Sequence, residues 1–152
     1  MRGFTLIETI VYLALFSILF TGVLVSSYTF FRGAENVSAR VVKENEIAFV
    51  VRKMATLLAS ASAVTSPSSG TSGSTLTFST YSGDSYTFTI ASDAATLQKN
   101  STTPVVLTAE RVKFTNFSVS HTAATGGFPR YIEYSFTVEG ETFGPIRKYF
   151  TF

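Results

Sequence analysis

Between Thr9 and Phe31 the chain carries no charged side chain, a run of 23 residues that as a helix rises about 34 Å at roughly 1.5 Å per residue. That length spans a bilayer. Ile10, Val11, Leu13, Leu15, Phe16, Ile18, Leu19, Phe20, Val23 and Leu24 leave only scattered Thr and Ser between them, and Arg32 closes the run. The buried helix of a soluble domain needs a polar stripe, which this segment lacks. A membrane-embedded helix is therefore expected.

Glu8 stands just inside the start of that run. Carrying a carboxylate toward the centre of a bilayer costs on the order of 2.5–3.5 kcal/mol on insertion scales, and less near the interface. An ordinary anchor or secretory signal places Lys or Arg at this edge and keeps the apolar run clean. The bland reading is a carboxylate that snorkels to the headgroups; the alternative is that Glu8 has a partner.

Gly3-Phe4-Thr5-Leu6-Ile7-Glu8 followed by a long apolar helix resembles the processing signal of type IV pilins and of the pseudopilins of type II secretion and competence systems. By that resemblance Met1–Gly3 is the leader. A prepilin peptidase cuts between Gly3 and Phe4 on the cytoplasmic face and methylates the new amine of Phe4. Gly3, without a Cβ, lets the backbone lie extended in a protease cleft. The Phe4 amine is cationic near neutral pH, and Glu8 lies one turn away at the i, i+4 spacing. In filaments of this family the glutamate is thought to offset the N-terminal charge of a neighbouring subunit in a low-dielectric core, where an unpaired charge is expensive. The bland alternative is a pair within one helix. The resemblance also implies partners: other pilin or pseudopilin subunits, the peptidase, an inner-membrane assembly platform, and lipid before assembly. Its leader is shorter than many in the family, and Glu8 argues against the filament-tip pseudopilin that typically lacks this acid.

Cysteine is absent, so the disulfide-closed C-terminal loop of many major type IV pilins cannot form, which favours a minor pilin or pseudopilin. The formal charge of +2 falls unevenly. Through Ser62 there are six basic and four acidic residues, and beyond it six of each. A neutral head carries no strong signal for polyanions.

After Arg32 the pattern becomes amphipathic. Val37, Val41, Ile47, Val51, Met54, Leu58 and Ala61 recur mainly at three- and four-residue steps among charged residues, and no proline precedes Pro67. One helix from about Phe4 to about Ala61 is expected, with Gly22 and Gly33 as its weak points. Its second half should lay its stripe on a sheet; a coiled coil is the less favoured use, because the a/d spacing is not clean. The organisation expected is leader 1–3, membrane or filament-core helix 4–31, amphipathic continuation 32–62 and β-rich head 63–152.

Residues 67–74 read as a flexible Ser/Gly break. The alternation of Leu76 and Phe78, then of Tyr86, Phe88 and Ile90, about the turn 82–85 reads as a hairpin over 75–91. Further strands are expected at 95–99, 105–108, 112–120, 131–139 and 146–152, with a turn at 140–145. A long helix followed by an antiparallel sheet is an α+β fold, the architecture the resemblance also implies.

No catalytic residue, cofactor or metal site is expected. His121, the sole histidine, reads as a solvent-exposed loop residue. Asp84 and Asp93 fall short of the oxygen ligands that calcium wants. Three Asn-x-Ser/Thr triplets, beginning at Asn36, Asn100 and Asn116, are too short a pattern to carry weight. Residues 147–150 and Lys99 could touch DNA by charge and stacking, though aromatic residues on a terminal strand are more often core. The reading is a structural, non-enzymatic filament subunit, placed in the inner membrane with its head outside the cytoplasm and then in a surface or periplasmic filament. Its rivals are a secreted β-rich binding or adhesion domain behind a removable signal, and a plain single-pass anchor. Against the signal peptide stand the long apolar run, the lack of an Ala-x-Ala site and Glu8.

Overall fold

A computed structural model describes residues 5–150. Among these residues one helix, α1 (Leu6–Ala59), is followed by nine strands, and the chain divides into two units, one ending at Val42 and one starting at Lys43. The α+β class expected from the sequence is the one found. Gly22 and Gly33 do not interrupt α1: the cost of each, about 1 kcal/mol against alanine, is spread over a long run with no proline. The helix stops at Ala59, two residues before the expected end. There the Ser60 hydroxyl and amide both donate to Leu57 O, at 2.8 and 3.1 Å, covering an orphan carbonyl of the last turn.

In the second unit the strands form two antiparallel sheets where a single sheet was expected. The first has the order β1-β3-β4-β5-β6, built from β1 (Ala61–Ser66), β3 (Thr75–Thr80), β4 (Ser85–Ala91), β5 (Ala94–Lys99) and β6 (Val105–Val106). The second has the order β2-β7-β8-β9, built from β2 (Ser72–Gly73), β7 (Phe114–Thr122), β8 (Tyr131–Val138) and β9 (Glu141–Tyr149). The expected 75–91 hairpin is β3–β4, with Leu76 opposite Phe88 and Phe78 opposite Tyr86. The end of the last expected strand, 151–152, lies outside the described residues.

Three local readings change. The residues after the helix form β1, paired with β3 from Ala61↔Thr80 onward. The Ser/Gly break is pinned: Ser72 and Gly73 pair with Ser120 and Val119, and Gly70 N donates to His121 O at 2.7 Å. The C-terminal turn is two residues, Glu139 and Gly140, both at positive φ (50° and 85°), which suits the right-handed twist of a tight hairpin. Strand β9 therefore starts early and passes through Gly144. A Cβ there would lie 2.8 Å from Tyr134 O, at φ 113°, so glycine alone fits this irregular register.

The core unites the last turns of α1 with both sheets. Val50, Met54 and Leu58 are buried with Leu76, Phe78 and Phe88 of the first sheet and Phe114, Val119, Ile132, Phe136 and Val138 of the second. The apolar stripe expected from Val37 onward is buried only in its later part. Ile47 and Val51 pack against the core, whereas Val37 and Val41 are exposed.

Candidate filament-assembly site

Gly3 and Phe4 lie outside the described residues. Thr5 stands immediately before α1, and its carbonyl accepts from Glu8 N at 3.1 Å and Thr9 N at 3.3 Å. These are the backbone bonds of the first turn, and in sequence Thr5-Leu6-Ile7-Glu8 also has the Thr-x-x-Glu pattern of a helix-capping box. Sequence reasoning that looked for charge pairing passed over this signal, although the spacing was legible. Glu8 also sits in the first helical turn, where the helix dipole favours an acid.

From Leu6 to Val42 every residue except Glu8 is exposed, and Glu8 alone is half-buried. Leu6 is 82% exposed and Phe30 73%, so the apolar length of α1 finds no cover within the first unit. Its hydroxyls, by contrast, are satisfied locally. Ser17 donates to Leu13 O, Thr21 to Ser17 O and Thr29 to Ser26 O, each at 2.8 Å. Such back-bonding is the usual way for a lipid-facing helix to carry Ser and Thr. Glu8 is the one ionisable carboxylate between Thr5 and Phe31. The arrangement can bury a large apolar surface and offer one acid near its end.

The head residues weighed for chemistry do not converge. His121 is a correction: it is 6% exposed and sits in β7, not in a solvent-exposed loop. Its Nδ1 lies 3.1 Å from Pro67 O, which fixes that nitrogen as the donor, and Nε2 is buried without a hydrogen-bond partner. Alternation along β7 puts His121 on the face of Phe117 and Val119, the signal that could have placed it.

Asp84 and Asp93 flank opposite ends of β4, so they cannot share an ion. Lys99 Nζ lies 2.8 Å from Asp84 Oδ2, and Asn100 Nδ2 donates to Asp84 Oδ1 at 2.7 Å. The hydrogen bond from Lys99, then that from Asn100, hold the Asp84 carboxyl below its ordinary value, and Asp84 in turn raises Lys99. Asp93 faces Lys113 at 3.4 Å. Among the described residues no group of three metal-ligating side chains occurs. The basic residues considered for DNA are also divided. Arg147 is paired with Glu133, which raises its guanidinium further, while Lys148 lies opposite inward-facing Ile132 and Phe150 is buried.

The family model described as the prokaryotic N-terminal methylation motif matches residues 1–24. No curated protein and no solved structure matches the chain. The matched segment contains Gly3, Phe4, Thr5 and Glu8, together with the first turns of the exposed apolar helix, so the chain carries the signal of the type IV pilin and pseudopilin family.

Proposed function

We propose that this chain is a minor pilin or pseudopilin, processed between Gly3 and Phe4 and built into a filament through α1. The observation that carries the reading is the methylation motif running directly into a helix whose apolar length is wholly exposed. Burying that surface is worth roughly 25 cal/mol per Å², first against lipid and afterwards against the helices of neighbouring subunits. A notch at Gly33, walled by Phe30, Ala34 and Val37, adds a place where a second helix can approach closely.

Each motif residue has a role in this reading. Gly3 admits the backbone to the peptidase, Phe4 supplies the amine that is freed and methylated, and Glu8 pairs with the Phe4 amine of a neighbour. Inner-membrane insertion precedes assembly, with the assembly platform drawing the subunit out of lipid. Proteins carrying this motif are structural, and the activity is mechanical: the helix holds subunits together and the head sets the outer surface.

Mass spectrometry of the N-terminus, on protein recovered from membranes or sheared filaments of the native host, tests the reading. A methylated Phe4 is the expected result. An intact Met1 would mean a plain anchor, and a start near residues 26–40 would mean an exported head; either result overturns the proposal.

A further inference from the structure

The outward face of the second sheet is almost entirely hydroxyl-bearing. In register, Thr115 faces Thr137 and Ser118 faces Ser135 across β7 and β8. One corner departs from this. There Tyr131 lies opposite Tyr149, and Glu133 opposite Arg147. The two tyrosine rings sit 5.5 Å apart, the guanidinium of Arg147 lies 5.6 Å from the Tyr131 ring, and the same guanidinium is paired with Glu133. Tyr149 is 52% exposed.

Next to this corner runs a groove of about 390 Å³ whose hydroxyl-bearing walls are Thr71, Ser72, Ser120, Thr122 and Thr125. That volume lies within the roughly 300–1,000 Å³ range of small-molecule sites. The two features adjoin by register, since Ser120 faces Glu133 and Thr122 faces Tyr131 on the neighbouring strand. Elsewhere in the head hydroxyls bond each other across strands, as Thr77 with Thr87 and Thr137 with Thr142. In the groove, among the described residues, the hydroxyls of Ser72, Ser120, Thr122 and Thr125 have no protein partner. Beyond Thr125, which bridges to Phe128, Phe128 is 74% exposed.

We propose that this corner binds a neutral sugar, with one face of a pyranose ring on the Tyr131–Tyr149 pair and its hydroxyl edge in the groove. A pyranose has an apolar C–H face and a rim of groups that both donate and accept. Tyrosine offers a flat apolar surface with a polar tip, and Ser and Thr hydroxyls can likewise donate and accept. Charge selects the class of ligand. The lining of the groove contains no Asp, Glu, Lys or Arg, Glu133 and Arg147 neutralise each other, and Arg130 at the base of the loop is engaged in a contact of its own. A phosphate or nucleic acid would find no net positive field there. The site lies wholly within the unit that starts at Lys43, so it stands or falls separately from the filament reading.

The test is saturation-transfer NMR on the full chain in a sugar-free detergent, with methyl β-galactopyranoside, methyl α-mannopyranoside and N-acetylglucosamine as probes and glucose 6-phosphate as the charged control. Transfer to the ring C–H protons of at least one probe is expected. Tyr149→Ala and Thr122→Val should each weaken that binding about tenfold, as expected for losing a stacked ring or a hydrogen bond. Tyr81→Ala, which removes an exposed tyrosine outside this sheet, should leave it unchanged. Near-UV circular dichroism checks that each variant keeps its fold. Transfer to none of the three sugars overturns the proposal. So does equal binding by all the variants, or a preference for glucose 6-phosphate that fades with salt.

Discussion

The ring of Phe88 on the first sheet meets that of Phe117 on the second edge to face, with centroids 4.9 Å apart. Phe88 is fully buried and Phe117 nearly so, and this pair ties the two sheets together. Phe88→Ala should lower stability by about 3–5 kcal/mol, because a large void opens that a close-packed interior refills only in part. Phe117→Ala should cost less in the Phe88→Ala background than it does in the parent chain, since the two share one contact. Urea unfolding of the single and double variants, followed by near-UV circular dichroism, reads both quantities. Strictly additive losses would show that the contact contributes nothing of its own.

The clasp of Asp84 by Lys99 and Asn100 makes a prediction about acid. The folded carboxyl is held below its ordinary value of 3.8, so the unfolded chain takes up the proton first as pH falls. The clasp's contribution is therefore complete above about pH 4 and is lost as the pH drops through the lower, folded value. Lys99, raised above 10.5, gives the mirror image, with a contribution that is lost as the pH climbs past that point. Lys99 is exposed and Asp84 only half-buried, so water screens the pair and the effect should be small. Melting temperatures measured from pH 2 to 7 should fall less steeply in Lys99→Met than in the parent chain. Identical slopes would sink the assignment.

Tyr134 predicts the behaviour in alkali. Burial pushes its phenol up from 10 to about 12, because the phenolate would lose much of its hydration there. The unfolded chain ionises first, so stability is full below pH 10 and declines between about pH 10 and 12. At 1.36 kcal/mol per unit the loss is on the order of 3 kcal/mol. Tyr134→Phe should remove that part of the slope while leaving the neutral melting temperature within a few degrees. An alkaline slope that persists in the variant would assign it to other groups.

The parts of this fold that the sequence made legible are those where hydrophobic period and length act alone. The charge-free run, the 75–91 hairpin and the alternation of Ile132, Tyr134, Phe136 and Val138 against polar neighbours all follow from local pattern. Strand β1 was hidden because Ala61-Ser62-Ala63-Val64 offers small residues where a strand signal needs bulk. Strand β2 is two residues in a Ser/Gly run, and only the free edge of β7 gives them a partner. The burial of His121 depends on Pro67, far away in sequence, offering its carbonyl. In the N-terminal site the motif was plain, while the place of Thr5 as the residue just before the helix was fixed only by the helix start at Leu6.

That geometry decides how Glu8 has to be tested. Glu8 occupies the third helical position after Thr5, so an alanine there removes both a negative charge and the Glu of the Thr-x-x-Glu capping pattern, and its phenotype alone cannot separate the two. Glutamine separates them, because Thr-x-x-Gln caps a helix as Thr-x-x-Glu does while carrying no charge to pair with an amine. If Glu8 works by pairing with the Phe4 amine of a neighbour, Glu8→Gln and Glu8→Ala should insert in the membrane and be cleaved normally. Both should then enter filaments at about a tenth of the parental level or less, the effect of losing on the order of 1.4 kcal/mol at an assembly step. If capping is its whole role, Glu8→Gln should assemble like the parent and only Glu8→Ala should be impaired. Quantitative immunoblots of sheared filaments against membrane-retained subunit distinguish these outcomes. A Gly3→Leu chain, expected to keep its precursor size, marks the unprocessed baseline on the same blot.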